Sequence, residues 1–367
     1  MKKFVTLLVS FFMSFSITGE PSANSVQTPV ESTYAESAVE FATALGCGIN
    51  LGNSLDVADM LQYNPNISLA EYEKSWGNPL IAKEQFAAIH DAGFQTVRIP
   101  VSWAEHMDAN GTIQKEFLDR VQEVVDMALD SGLYVIIDTH HENWLNLDLN
   151  KKEQIQNQFA VVWKQIAVRF QNYDERLVFE GLNEARLKNS QYEWTGGTSE
   201  LRDFVNTLNA LFVSTVRGVG GNNTQRFLMV SPYCHRVEED ALKDLVLPND
   251  NRLIVAVHLY EPSDFCLDTY SGKSWSSDTN ALQAMEQKFS MLNDYFVSKN
   301  IPVVITEFGC IDKGNTQDRI NWTQDFVGYC NKFGISYLWW DNGGDFQILN
   351  RETGTWVYPD IVEILTK

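Results

Sequence analysis

LVFEGLNE, residues 177–184, is an apolar run that ends in two polar residues, Asn183 and Glu184. A second run of the same kind, VVITEFG at residues 303–309, carries Glu307 near its end. Short runs rich in β-branched and aromatic residues indicate buried strands. The two runs therefore predict two buried strands, each with a carboxylate at its carboxyl end.

Runs with strand character recur along the chain, and there are eight in all. The other six lie at residues 46–51, 94–100, 133–138, 226–230, 253–257 and 335–340. Amphipathic stretches lie between most of them; from Leu201 to Phe212, for example, apolar residues recur at helical spacing. Eight alternations of strand and helix predict an α/β protein with a single-domain (β/α)8 TIM barrel. Active sites of such barrels lie at the carboxyl ends of the strands, where Glu184 and Glu307 fall.

Two carboxyl groups at one end of a barrel suit the hydrolysis of a sugar acetal. One protonates the leaving oxygen, and the other attacks or stabilises the cationic carbon. Further polar residues end neighbouring strands, namely Arg98, His140, His141, His258 and Tyr260. An arginine and a tyrosine hydroxyl would keep the attacking carboxylate ionised. The general acid needs the opposite, a raised pKa.

The N-terminus has the pattern of a secretory signal peptide. Met1, Lys2 and Lys3 precede a stretch of apolar and small residues, which is too short to span a membrane. We predict a signal peptide over residues 1–23, with an open cleavage site, and a polar N-terminal arm over residues 24–37. The catalytic barrel is predicted over residues 38–367. The protein is expected to be secreted, outside the cell or into a periplasm, and not to bind a membrane once the signal is removed.

The charge of the chain limits its partners. Its 28 basic and 48 acidic residues give a formal net charge of −20, and the acidic residues are spread along the sequence. Such a surface repels nucleic acid and acidic polysaccharides, but not a neutral glucan. We expect a polysaccharide substrate, no nucleic acid, no cofactor and a monomer.

The cysteines and histidines show no metal-binding pattern. The sequence His140, His141, Glu142 lacks the second histidine of the HExxH zinc motif, so no metal site is predicted. Five cysteines are widely spaced, and a barrel of this size does not need disulfides. Buried free thiols are the default, and a bridge between Cys234 and Cys266 stays open.

Motifs at nearly every predicted strand end resemble glycoside hydrolase family 5 (cellulase family A). They are INLGN at 49–53, VRIP at 97–100, DTHH at 138–141, FEGLNE at 179–184, HLY at 258–260, ITEFG at 305–309 and WWDNG at 339–343. The run EWTGGT at 193–198 resembles subfamily 4, which groups endoglucanases and xyloglucanases. The resemblance spans most of the predicted barrel.

The resemblance implies a retaining double displacement, with Glu184 as acid/base and Glu307 as nucleophile. It implies that Asn183 bonds the sugar 2-hydroxyl. It also implies that Arg98 and Tyr260 orient Glu307.

Other implied roles lie around this pair. His258 and His140 would bond the acid/base or the substrate, and Trp340 would stack on the sugar before the cleaved bond. His141 is open between substrate contact and structural support. Asn53, in the INLGN motif, is a further supporting candidate.

Several residues have a structural alternative. Glu180 and Asp138 are interpreted as buried partners of Arg98 or a histidine rather than as catalysts. Because neighbouring strand residues point to opposite faces, only one of Trp339 and Trp340 can face the sugar. Trp144 and Trp194, which lie in predicted loops, are candidate sugar platforms, although loop tryptophans are also often packed.

The sequence thus predicts a secreted, retaining endo-β-1,4-glucanase that cuts cellulose-type glucans in a cleft open at both ends. Xyloglucan and mixed-linkage β-glucan are expected as additional substrates. The endo specificity comes from the resemblance, since the residues themselves indicate only retaining glycoside hydrolysis. A mannanase or xylanase of the same family remains an alternative, and so does a non-catalytic glycan-binding barrel.

Overall fold

Eight parallel strands close into a barrel in chain order, and β1 pairs with β8. The computed structural model describes residues 37–367 except 273 and 278; the predicted signal peptide and the arm up to residue 36 lie outside the described residues. The strands are β1 (Cys47–Leu51), β2 (Thr96–Ile99), β3 (Tyr134–Ile137), β4 (Leu177–Glu180), β5 (Leu228–Val230), β6 (Leu253–His258), β7 (Val303–Phe308) and β8 (Ser336–Asp341). The predicted (β/α)8 barrel is confirmed.

Helices surround the strands, and the described residues contain eleven. They are α1 (Ala38–Ala44), α2 (Leu69–Glu73), α3 (Lys83–Asp91), α4 (Lys115–Asp130), α5 (Lys152–Arg169), α6 (Ser199–Val219), α7 (Glu239–Lys243), α8 (Ser263–Cys266), α9 (Thr279–Tyr295), α10 (Thr316–Phe333) and α11 (Pro359–Thr366). A short antiparallel hairpin, β9 (Leu349–Asn350) and β10 (Thr355–Trp356), follows β8. Among the described residues, no helix combines the length and apolar character needed to cross a membrane.

The amino-terminal half of the barrel interior is apolar and is closed by α1. Ser37 caps this helix through a reciprocal hydrogen-bond pair with Glu40. The Phe41 ring stacks on Phe227 with 3.9 Å between ring centroids. Around them lie side chains from successive strands: Ile136, Val178, Met229, Ile254, Val304 and Leu338. Helix α1 therefore fills the end of the barrel that is opposite to the carboxyl ends of the strands.

The interior becomes polar toward the carboxyl ends of the strands. Asn50, Arg98, Glu180 and Thr306 are all almost fully buried there. Since residues two apart on a strand share a face, Glu180 lies above Val178 on the inside of the barrel. This polar layer separates the apolar plug from the mouth of the barrel.

The register of the sheet shifts at the carboxyl ends of β6 and β7. The pairing between these strands is irregular between Val257 and His258, which brings His258 opposite Glu307. A second shift separates the paired residues Ile305 and Phe308 of β7. Irregular pairing re-aims side chains, and it occurs here at the end of the barrel where active sites form.

All five cysteines are buried free thiols. The bridge between Cys234 and Cys266 that the sequence left open is not formed.

The plug role of α1 predicts a loss of stability without a loss of chemistry. Phe41→Ala removes a buried ring and should lower the free energy of unfolding by about 3–5 kcal/mol. The folded variant should keep its kcat, because Phe41 lies at the far end of the barrel from the site. Urea unfolding and steady-state kinetics measure both. Val39→Ala, at a position of α1 that is 40% exposed, is the control and should change stability by no more than about 0.5 kcal/mol. Equal losses of unfolding free energy in the two variants would contradict the role of α1 as a plug of the barrel.

Candidate active site

The guanidinium of Arg98 is the centre of the polar layer, and each of its five N–H groups has an acceptor. Nε donates to Glu180 at 2.5 Å. Nη1 donates to Asn50 at 3.0 Å and to Glu307 at 2.7 Å. Nη2 donates to Asp138 at 2.7 Å and to Asn183 at 3.0 Å. Glu180 and Asp138 are therefore buried partners of Arg98, as predicted.

Glu307 lies inside β7, with 5% of its surface exposed. Its Oε1 accepts from Arg98, and its Oε2 accepts from the Tyr260 hydroxyl at 3.0 Å. Two donors, one on β2 and one just after β6, thus fix both oxygens of the carboxylate. The structure brings together the three residues that the sequence grouped for this purpose.

Glu184 is not at the end of its strand, which corrects the expectation from the sequence. Strand β4 ends at Glu180, and Glu184 follows in a turn with a positive φ of 45°. This backbone conformation is uncommon for a residue other than glycine. Arg186 donates to the backbone carbonyl of Glu184 at 2.9 Å, and its guanidinium lies 3.5 Å from the side-chain Oε2. A short turn, rather than the strand, aims this carboxylate.

His258 joins the two carboxylates. Its Nδ1 lies 3.0 Å from Glu184 Oε1 and 3.4 Å from Glu307 Oε2. One atom from each of the three side chains lies within 4.8 Å of the others. Burial, together with the nearby Arg98, holds the pKa of His258 well below its usual range. The imidazole is therefore neutral and has one proton to share with the pair.

The charges around Arg98 do not balance, because one guanidinium faces three carboxylates. Burial raises the pKa of Glu307 to about 8, against the attraction of Arg98 and with added repulsion from Glu184. Burial likewise raises the pKa of Asp138 to about 7, against Arg98. For Glu180, Arg98 and His235 outweigh burial and hold the pKa well below its ordinary value. The sequence predicted that Arg98 and Tyr260 would keep Glu307 ionised; both lower its pKa, but burial and Glu184 oppose them, and Arg98 is shared among three carboxylates.

The two carboxyl groups lie in different surroundings. Burial and the neighbouring Glu184 raise the pKa of Glu307, against the attraction of Arg98, whereas Glu184 is half-buried in a turn beside Arg186. One carboxyl group that gives a proton and a second that attacks are what the hydrolysis of a sugar acetal requires.

His140 and Trp340 form one wall next to the carboxylates. Their rings are parallel, with 5.7 Å between centroids. His140 Nδ1 lies 2.7 Å from an oxygen of Asp138. This nitrogen therefore forms its hydrogen bond with Asp138 and not with Glu184. Gly52 lies under Trp340, since a Cβ there would come within 2.6 Å of the indole ring. The close approach of the backbone fixes the position of Trp340.

Burial distinguishes the two neighbouring tryptophans of β8. Trp339 is fully buried and donates from Nε1 to the carbonyl of Phe346 at 3.0 Å. Trp340 is half-buried on the same side as His140. The side chain that reaches the mouth of the barrel is thus Trp340; its stacking on sugar stays a prediction.

The remaining candidates lie farther from the carboxylates. His141 is exposed, and its ring lies 5.6 Å from that of Trp76. Asn53 is half-buried with a φ of 59°, and its N–H donates to Asp56 at 3.0 Å. Both belong to the rim of the mouth.

The two predicted loop platforms differ. Trp144 is half-buried and packs toward Phe159, with 6.4 Å between ring centroids, and is not brought into the carboxylate cluster. Trp194 is 52% exposed, and the guanidinium of Arg186 lies 3.9 Å from its ring centroid. Since Arg186 also contacts Glu184, Trp194 is connected to the cluster through Arg186.

Reasoning from the sequence missed His235 and Arg186. His235 lies in a short 3₁₀ turn after β5 and contacts both Glu180 and the backbone of Glu184. Its position just beyond the fifth strand was a usable signal, because loops after barrel strands supply site residues. Arg186 follows the FEGLNE motif by two residues, and nothing in its spacing marks it.

Within the part of the chain that the structure describes, three groups of histidines and carboxylates are close enough to hold a metal ion. They are Asp56 with His140 and His141, Glu180 with His235 and His258, and Glu184 with His258 and Glu307. The direct hydrogen bonds of Glu180 and of the Glu184–Glu307 pair account for the proximity in two of them. That the protein needs no metal stays a prediction.

A known protein family and a known protein are similar to this chain in sequence. The family described as Cellulase (glycosyl hydrolase family 5) matches residues 60–346. Endoglucanase A of Clostridium longisporum is 39% identical over 366 residues, which cover 97% of this chain and 69% of the relative.

Two solved structures are similar in fold and sequence. A broad-specificity endoglucanase of Ruminococcus champanellensis with bound cellotriose has a TM-score of 0.86 and 37% identity, covering 90% of this chain and 98% of the other. A xyloglucan-specific endo-β-1,4-glucanase from a metagenomic library, also with cellotriose, has a TM-score of 0.84 and 38% identity at the same coverage.

The shifted pKa of Glu307 predicts how stability depends on pH. The folded carboxyl titrates at about 8 and the unfolded one near 4.3. The folded state therefore binds more protons between these values, and its stability falls as pH rises through this window. Glu307→Gln cannot ionise, so its stability relative to the parent should increase by on the order of 3 kcal/mol between pH 5 and pH 8. Urea unfolding at both pH values measures it. A difference that does not change with pH would contradict the shift.

Proposed function

The chain belongs to glycosyl hydrolase family 5 as an endoglucanase, and we propose that it is a retaining endo-β-1,4-glucanase that cuts internal bonds of cellulose-type glucans by double displacement. The chemistry rests on Glu184 as acid/base and Glu307 as nucleophile. Arg98, Tyr260 and His258 hold these two groups.

The separation of the two carboxylates carries the proposal. Oxygens of Glu184 and Glu307 lie within 4.8 Å of each other and of His258 Nδ1. Retaining enzymes place their carboxyl groups about 5–5.5 Å apart, whereas inverting enzymes leave about 6.5–9.5 Å for a water molecule. Oxygens within 4.8 Å of each other suit the shorter spacing of a retaining pair, which supports direct attack on the sugar.

In the first step Glu307 attacks the anomeric carbon. A bond forms between a Glu307 oxygen and that carbon, the bond from the carbon to the glycosidic oxygen breaks, and the proton of Glu184 moves to the leaving oxygen. Arg98 and Tyr260 donate hydrogen bonds to Glu307, which favours the anion that attacks the sugar.

In the second step water replaces Glu307. The Glu184 carboxylate takes a proton from water, the water oxygen bonds to the anomeric carbon, and Glu307 leaves as a carboxylate. Both carboxyl groups then return to their initial protonation states. Because attack occurs twice from opposite faces, the configuration of the sugar is kept.

We also propose activity on xyloglucan and mixed-linkage β-glucan. One similar structure is described as a broad-specificity endoglucanase and another as xyloglucan-specific. Trp340 at the mouth and the exposed Trp194 offer flat apolar faces for sugar rings.

We further propose that the enzyme is secreted as a monomer. The support is the basic and apolar pattern of the first 19 residues and the polymeric substrate, which is too large to be taken up intact. N-terminal sequencing and light scattering of protein from the culture medium test this; intact Met1 in exported protein would contradict signal removal.

The assigned role of Glu184 predicts a dependence on the leaving group. Glu184→Ala should lower kcat on a glucan by on the order of 10²–10⁴-fold, because the glycosidic oxygen needs a proton. On a dinitrophenyl cellobioside the first step should be nearly normal, since this phenol leaves unprotonated. Azide should then speed the second step, because it can attack the sugar in place of water and needs no general base. Equal losses on both substrates, without an azide effect, would make Glu184 structural.

A panel of polysaccharides tests the substrate class. Reducing-sugar release from carboxymethyl cellulose, xyloglucan and lichenan should exceed that from xylan and mannan. Glu307→Gln, which keeps shape but cannot attack, is the matched control and should release nothing. Highest activity on mannan or xylan would replace the glucanase assignment with the corresponding alternative.

A further inference from the structure

His235 contacts both sides of the polar layer, and its hydrogen bonds define its tautomer. The backbone N–H of Glu184 donates to His235 Nδ1 at 3.1 Å. An acceptor nitrogen carries no proton, so the proton of the neutral ring is on Nε2. That nitrogen lies 3.1 Å from Glu180 Oε1 and donates to it.

The turn that carries His235 is strained and is joined to the turn of Glu184. Cys234 and His235 have φ values of 53° and 54°, and Glu184 has a φ of 45°. Such conformations are disfavoured for residues other than glycine and persist where surrounding contacts enforce them. The Cys234 N–H donates to the carbonyl of Ala185 at 3.1 Å, and the Leu187 N–H donates to the Tyr233 hydroxyl at 3.1 Å. With the bond to Glu184, three hydrogen bonds hold the two turns together.

Glu180, on the other side of His235, is itself held in place by several hydrogen bonds. Besides His235, its oxygens accept from Thr306 Oγ1 at 2.9 Å and from Arg98 Nε at 2.5 Å. All of these groups are almost completely buried. Arg98 in turn holds Glu307. An unbroken chain of hydrogen bonds thus runs from the backbone of Glu184 through His235, Glu180 and Arg98 to Glu307.

We propose that His235 is a positioning residue for the general acid: it fixes the strained turn of Glu184, and hence the direction of its carboxyl group, relative to Glu307. His235 also lies against His258, with 4.3 Å between ring centroids, and His258 holds the Glu184 side chain. The inference rests on the proposed acid role of Glu184. His235 itself is fully buried, its hydrogen bond to Glu184 is to the backbone N–H, and it takes no part in proton transfer.

Two substitutions separate the two contacts of His235. In His235→Asn the side-chain oxygen takes the place of Nδ1 and accepts from the Glu184 N–H, and asparagine tolerates the positive φ. In His235→Gln the amide reaches toward Glu180 and leaves the Glu184 N–H without an acceptor. His106→Gln is the matched control, because His106 is an equally buried histidine that stacks on Phe117 away from the carboxylates.

The readout is the ratio of kcat/KM on dinitrophenyl cellobioside to that on phenyl cellobioside, which differ only in the leaving group. A misdirected general acid slows the phenyl substrate alone, so His235→Gln should raise this ratio by about 10- to 100-fold. His235→Asn should stay within about 3-fold of the parent, and His106→Gln should not change the ratio. An unchanged ratio in His235→Gln, or an equal rise in both His235 variants, would overturn the proposal.

Glu184→Ala in the same assay separates this inference from the proposed function. If Glu184→Ala leaves the ratio unchanged, the acid assignment fails; if it raises the ratio and His235→Gln does not, only the role of His235 fails. Should His235→Gln not fold, ¹⁵N NMR of the histidine-labelled parent protein decides. The proposal requires an unprotonated Nδ1 and a protonated Nε2 on His235, and a proton on Nδ1 would overturn it.

Discussion

The hydrogen bonds of one buried guanidinium, that of Arg98, determine the geometry of this site. Its five N–H groups meet acceptors from several parts of the barrel: Asn50, Asp138, Glu180, Asn183 and Glu307. Burying a charge costs several kcal/mol unless it is paired and every donor is satisfied. The acceptors are therefore not interchangeable. A shift of a strand that carries Arg98 or one of its acceptors would leave a buried donor without a partner, so the register of these strands and the geometry of the site depend on each other.

The same interaction explains the charge state of the site. Arg98 offsets one full negative charge but faces three carboxylates, and Glu180 keeps its charge because His235 and Thr306 also donate to it. Burial then raises the pKa of Glu307 to about 8. The same imbalance costs stability and shifts a carboxyl pKa at the site of the proposed chemistry, where perturbed pKa values are expected.

Much of the fold and of the site was predictable from the sequence, and the features that were not predictable have physical causes. Periodicity predicted eight strands and the (β/α)8 barrel, because burial on both faces makes each strand an apolar run. It also placed Glu184 and Glu307 at the same end of the barrel. The pKa of Glu307 was not predictable, since it depends on how Arg98 is shared among residues that are far apart in the chain. The role of His235 was missed because it depends on two strained turns that meet only in the folded structure.

The anomeric configuration of the first product tests the central claim most directly, since the close spacing of Glu184 and Glu307 is meaningful only if Glu307 attacks the sugar. Proton NMR of a cello-oligosaccharide digest, recorded before mutarotation, reports that configuration. The account predicts that the β-anomer accumulates first and that the α-anomer appears only at the rate of mutarotation. Early accumulation of the α-anomer would show single displacement by water and would contradict the account.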